Sequence, residues 1–156
     1  MSGDASHAER FMINVDGLLT LTAEIVEIAK TMGVTKLSPK LISVIAGLLK
    51  SYKGPKLLER FIDNSFNYWD QIFVKDEDFF NENASKVFGS LPMDNVNMFK
   101  DLVGHPEIVD AETKATIWQY FHSFVKISIK YMNDHRTKYQ SHKIDDLVVK
   151  WKVKIA

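Results

Sequence analysis

Apolar side chains recur along this chain at three- and four-residue steps, the spacing that gathers them on one face of an α-helix. Phe11, Val15, Leu18, Leu19, Ile25, Val26 and Ala29, with Thr22 among them, form the first such face. Ser6 followed by Glu9 has capping-box spacing and predicts a helix start there. Gly17 weakens a helix by about 1 kcal/mol relative to alanine, so a break is expected at that point. Gly33 suits a helix stop, because glycine takes positive φ without steric cost. Ser38-Pro39 reads as an N-cap followed by a first-turn proline. The run to Tyr52, with Leu41, Ile42, Val44, Ile45, Leu48 and Leu49, is apolar nearly all round, as a buried helix is.

The clearest period in the chain follows Gly54-Pro55. Leu58, Phe61, Ile62, Trp69, Ile72 and Phe73 fall on one face, interrupted by Ser65, with Lys56, Glu59, Arg60, Asp63, Asn67 and Asp70 opposite. One helix over Leu57–Val74 is the prediction. Asp76, Glu77 and Asp78 suit the positive end of a further helix, with Phe79 and Phe80 on its buried side. Gly89 to Pro92 reads as a turn and Asn95 to Val103 as a short helix. Asp110 caps a long helix to about Met132. Its apolar face carries Ile117, Trp118, Phe121, Phe124, Val125, Ile129 and Met132, and its narrow polar stripe Gln119, His122, Ser123, Lys126 and Lys130. The last segment changes period. Val149, Trp151, Val153 and Ile155 alternate with Lys150, Lys152 and Lys154, which is strand spacing without a second strand to pair with. The fold class expected is all-α: one bundle of about five or six helices over residues 1–142, the Leu57–Val74 and Asp110–Met132 helices at its centre. A short basic tail over 143–156, extended in conformation, completes it.

Composition narrows the chemistry. A chain of 156 residues with 46% hydrophobic and 26% charged residues can bury a core without staples. It holds no cysteine, which removes disulfides, thiolate catalysis and thiolate zinc sites and suits a reducing, cytoplasmic setting. The start, Met1 to His7, has neither a basic leader nor an apolar run, so no secretory signal is expected. The longest greasy stretch, Leu41 to Leu49, is far short of the roughly 20 residues a membrane span takes. Net charge is zero but unevenly spread. Asp63 to Asp101 carries eight acids against three bases, and Lys126 to the end eight bases against three acids.

None of the five histidines forms an HExxH pair, and His135 and His142, near Asp134 and Asp145, make at most a weak exposed metal site. A calcium loop counted from Asp76 fails, with Asn81 where glycine is needed and Val87 where a carboxylate is needed. Lys53-Gly54-Pro55-Lys56 is no phosphate loop, and no GxSxG elbow occurs. Catalytic, cofactor and metal residues are therefore expected to be none. His122 with Lys126 and Lys130 offers an anion site, but a solvated helix face needs the same pattern. The partner-binding candidates are Lys150, Trp151, Lys152, Val153 and Lys154. As a strand this segment adds to the sheet edge of another chain; as a lysine-rich segment with an indole it touches nucleic acid; in the plainest reading it folds back and packs Trp151 and Val153 on the bundle.

Tyr68-Trp69-Asp70-Gln71-Ile72 running into Lys75-Asp76-Glu77-Asp78-Phe79-Phe80 pairs with Ile117-Trp118-Gln119-Tyr120-Phe121-His122-Ser123-Phe124, with Phe88 and Phe99 between. Over Leu57 to Met132 this resembles a loose group of small helical proteins of unknown activity encoded by large DNA viruses of algae and amoebae. No catalytic residue carries over from that group. The resemblance implies a setting, an infected cell or a virus particle. The function expected is non-enzymatic, an interaction or structural protein binding other protein chains, itself included. The alternative is a nucleic-acid-associated protein using the basic C-terminal segment, with a minor enzyme third.

Overall fold

Six α-helices carry the described residues. The computed structural model describes residues 2–33, 39–79 and 105–155. The helices are α1 (Ser2–Thr31), α2 (Pro39–Lys50), α3 (Lys56–Ser65), α4 (Trp69–Phe73), α5 (Ala111–Asp134) and α6 (Ile144–Trp151). Short 3-10 turns at Phe66–Tyr68 and Gln140–His142 join α3 to α4 and lead into α6. Among the described residues there is no strand, and the chain is an all-α bundle.

α5 is the axis of the bundle. Asp110 caps it as its sequence predicts, accepting the Thr113 amide at 2.8 Å and offering negative charge to the helix start. Ten of its residues are buried, from Ile117 to Met132, and α1, α3, α4 and α6 all pack on it. Phe11 of α1, Phe61 of α3 and Phe124 of α5 meet with ring centroids 5.0–5.7 Å apart and lock the three helices together.

α1 departs from expectation at two points. It begins at Ser2, so Ser6 is an exposed residue inside the helix and not its cap. It also runs unbroken through Gly17, because Tyr120 of α5 lies against that glycine. A Cβ there would come within 2.6 Å of the Tyr120 hydroxyl. The glycine serves close helix approach, and that packing outweighs its poor helix propensity.

The Leu57–Val74 segment is likewise two helices, separated by the 3-10 turn. Ser65, the interruption in the apolar face, is fully buried at the junction. Its hydroxyl donates to the Phe61 carbonyl and accepts Trp69 Nε1–H at 2.9 Å, so both polar groups enter the core paired. Asp76 accepts the Phe79 amide at 3.0 Å, a helix-start bond of the kind its acids suggest. The turn at Gly89–Pro92 and the helix at Asn95–Val103 lie outside the described residues.

α2 is the largest correction. It carries the composition of a buried helix, yet Val44 is 59% and Leu48 55% exposed, with Ser43 and Gly47 also open to solvent. α1 has 30 residues and runs roughly 45 Å, and α2 folds back along it. Among the described residues α1 is the one helix α2 packs on substantially, with Lys50 pairing Asp16 at 3.2 Å across the hairpin. No helix here is long and apolar enough to cross a membrane, among the described residues.

Candidate functional site

The C-terminal segment is helical to Trp151, not extended. Asp145 and Asp146 sit in the first turn of α6, where the helix dipole favours acids. The apolar alternation has a different origin from a strand. Two residues along a helix is a rotation of roughly 200°, so Val149 faces out at 78% exposure while Trp151 is buried. Lys152 then turns the chain with a left-handed φ of 53°. Its amide bonds to the Val149 carbonyl at 3.3 Å and that of Val153 to the Val148 carbonyl at 3.0 Å, the paired bonds of a Schellman cap. This cap returns Val153 to the core at 8% exposure. Strand spacing is thus produced by a helix end and its cap, and the segment offers no free edge strand.

Its five candidate partner residues divide accordingly. Trp151 packs edge-on to Phe73 of α4 and His122 of α5, each ring centroid 5.0 Å away. Lys150 pairs with Asp70 and lies 4.9 Å over the Phe73 ring. Val153 is core. Lys152 and Lys154 alone point their charge to solvent without an ion pair among the described residues. Trp151 and Val153 folding back on the bundle is the arrangement observed.

His122, placed by its sequence on a solvated stripe, is half-buried in this joint. Nε2–H donates to the Ile72 carbonyl at 2.8 Å, and the ring stacks on Phe73 at 6.3 Å and 14°. Burial holds its pKa below the ordinary imidazole value. The Ile72 bond opposes that shift, and the charges of Lys75 and Lys126 add to it. Neutral His122 joins α4, α5 and α6.

A second polar cluster closes the other end. Glu59 of α3 accepts Tyr131 Oη–H at 2.8 Å and Lys138 Nζ at 2.6 Å. Burial pushes its carboxyl up, but the Lys138 and Tyr131 hydrogen bonds and the Lys138 and His135 charges outweigh this and set it below the usual range. His135 lies on the Tyr131 ring at 4.4 Å, and His7 of α1 meets Asp134 at 2.8 Å. His142 instead packs on Phe66 at 4.3 Å, and Asp145 pairs with Arg136 at 2.7 Å. The histidines and acids read as a weak metal site therefore go to separate partners. Among the described residues no three metal-ligating groups converge. A shallow groove beside Arg136 is lined by Lys143, Asp145 and Asp146 as well, a mixture of signs that favours no one ligand charge.

These clusters join helices; neither places a nucleophile against a base facing a cavity. Glu59, Tyr131 and Lys138 were invisible in the sequence because 72 and 79 residues separate the partners. The exposed Val44 and Leu48 were visible as apolar residues, but only the fold shows that they stay more than half exposed. Compared with protein-family models, with curated proteins and with solved structures, the chain matches none.

Proposed function

We propose that this chain is a non-enzymatic interaction protein that assembles with other protein chains, a second copy of itself first, through the outer face of α2. The observation that carries the reading is Val44 and Leu48, one turn apart and more than half exposed, on a helix with the composition of a buried one. Among the described residues α2 packs substantially on α1 alone, and a helix apolar on its outer side gains by burying that side against another molecule. Ser43 and Gly47 beside them are small, so a partner helix can approach closely. Symmetric pairing of one patch with itself is the commonest route to a homo-oligomer. The polar clusters support the non-enzymatic part, since they tie elements together. The setting we propose, the cytoplasm of an infected cell or a virus particle, rests on the aromatic pattern of Leu57–Met132 in the sequence alone.

Nucleic-acid association through the tail has less support: with Trp151 buried between Phe73 and His122, the indole that would stack on a base is withdrawn. The test is light scattering on the wild type and on Val44→Glu/Leu48→Glu, in low and high salt. The reading predicts a discrete oligomer that persists in high salt and falls to monomer mass in the double variant. A wild type that stays monomeric at every concentration, or an oligomer indifferent to both substitutions, contradicts it.

A further inference from the structure

The Ile72 carbonyl at the end of α4 accepts two bonds, one from His122 Nε2 at 2.8 Å and one from the Lys75 amide at 3.1 Å. The Lys75 backbone and the His122 ring thereby meet at one carbonyl. Lys126 stands one turn further along α5 on the same side as His122. Both lysines are exposed, and neither has a hydrogen-bond or ion-pair partner among the described residues. Two nearby acids are paired with other lysines, Asp70 with Lys150 and Glu77 with Lys114 at 2.9 Å, while Asp76 accepts the Phe79 amide and keeps its charge. Asp78 is the exposed acid left in that stretch.

Lys75 is also strained. The Asp76 amide bonds to the Gln71 carbonyl at 3.0 Å, which together with the Lys75–Ile72 bond makes a Schellman cap with Lys75 at its left-handed position, φ 57°. Glycine holds that position freely, whereas a residue with a Cβ costs about 1 kcal/mol or more there.

We propose that Lys75, His122 and Lys126 form a binding site for the phosphate group of a phosphomonoester. Two ammonium groups beside an imidazole present point charges and separate donors, which suit a tetrahedral dianion better than a planar carboxylate, the ligand an arginine fork would match. In the free protein Nε2 of His122 is committed to Ile72. Protonation at Nδ1 would supply a further donor, and the two lysine charges that oppose it are the ones a bound dianion neutralises. The charged groups around the ring are Lys75 from the end of α4 and Lys126 on α5. α6 contributes Trp151 to it, with Lys150 held on Asp70. The site stands apart from association through α2.

The probe is inorganic phosphate, added to the full chain against chloride at matched ionic strength, and read by the His122 ring proton resonances in NMR. The expected result is a saturable shift of His122, absent at exposed His105, with its titration midpoint moved upward by phosphate. Affinity falls about tenfold or more in Lys75→Gly and in Lys126→Ala. Lys75→Gly relieves the strained φ, so its melting temperature is equal to or above wild type, which separates lost binding from lost fold. No saturable shift, or equal affinity in both variants, overturns the proposal. So does a short single-stranded DNA that binds through these lysines while phosphate has no effect, since that describes a diffuse polyanion surface.

Discussion

Replacing Trp151 by alanine tests whether the C-terminal helix is part of the bundle. The side chain is 3% exposed. A buried tryptophan removes roughly 150–250 Å² from water, worth about 4–6 kcal/mol at the usual coefficient. Allowing for burial already present in the unfolded chain brings this to about 3–5 kcal/mol, the range seen for large-to-alanine changes in cores. The effect is concentrated in α6. At eight residues that helix is too short to persist alone, and Ile144 is its one other fully buried residue. The expected outcome of Trp151→Ala is a stability loss of about 3 kcal/mol or more, which for a domain of this size lowers the melting temperature by roughly 6–12 °C. Denaturant unfolding followed by circular dichroism measures it, with hydrogen exchange showing the amides of α6 losing protection first. Lys154→Ala, exposed and unpaired, is the control and stays within about 0.5 kcal/mol of wild type. A Trp151→Ala protein within about 1 kcal/mol of wild type would mean that α6 is not packed on the bundle, because removing a buried tryptophan costs about 3–5 kcal/mol.

Two glycines in helices respond oppositely to alanine. Gly47→Ala adds a Cβ with nothing within 4 Å and, at dilutions where the chain is monomeric, stabilises it by about 1 kcal/mol in thermal unfolding. Gly17→Ala drives a Cβ to 2.6 Å from the Tyr120 hydroxyl and destabilises by about 1 kcal/mol or more; in a Tyr120→Ala background the same change becomes stabilising, a double-mutant cycle that isolates the clash. Glu59 has a carboxyl pKa depressed by folding, so its contribution is full above its ordinary value of 4.5 and is lost as pH falls below that. Glu59→Gln therefore costs about 1 kcal/mol at pH 7 but little at pH 3, and its stability declines less steeply across that interval in urea unfolding.

Strong periodicity made α3 and α5 legible, and the Asp110 cap was readable because N-capping is local chemistry. What misled was tertiary. Gly17 looked like a break because its propensity is visible in sequence and the ring of Tyr120 is not. Leu57–Val74 read as one helix, since the buried Ser65–Trp69 bond and the 3-10 turn leave the apolar pattern intact. The tail alternates like a strand, yet a left-handed Lys152 lets a helix end bring both Trp151 and Val153 inward. Lysine is a poor choice for that conformation and gives no warning of it. α2 shows another limit: its composition is that of a buried helix, yet Val44 and Leu48 are exposed, because composition cannot say which neighbours the fold supplies. Of the candidate site, the residues Lys150 to Lys154 were nameable, while their division into core and surface followed only from the fold.

The absence of cysteine allows covering of the α2 face by a second chain to be measured directly. A single thiol introduced as Val44→Cys is unique in the protein, and its rate of reaction with a maleimide reports whether that face is open. Slow labelling is expected at concentrations where the protein associates and fast labelling on dilution, with Lys154→Cys fast throughout. A Val44→Cys thiol that reacts as fast as Lys154→Cys at every concentration would contradict it.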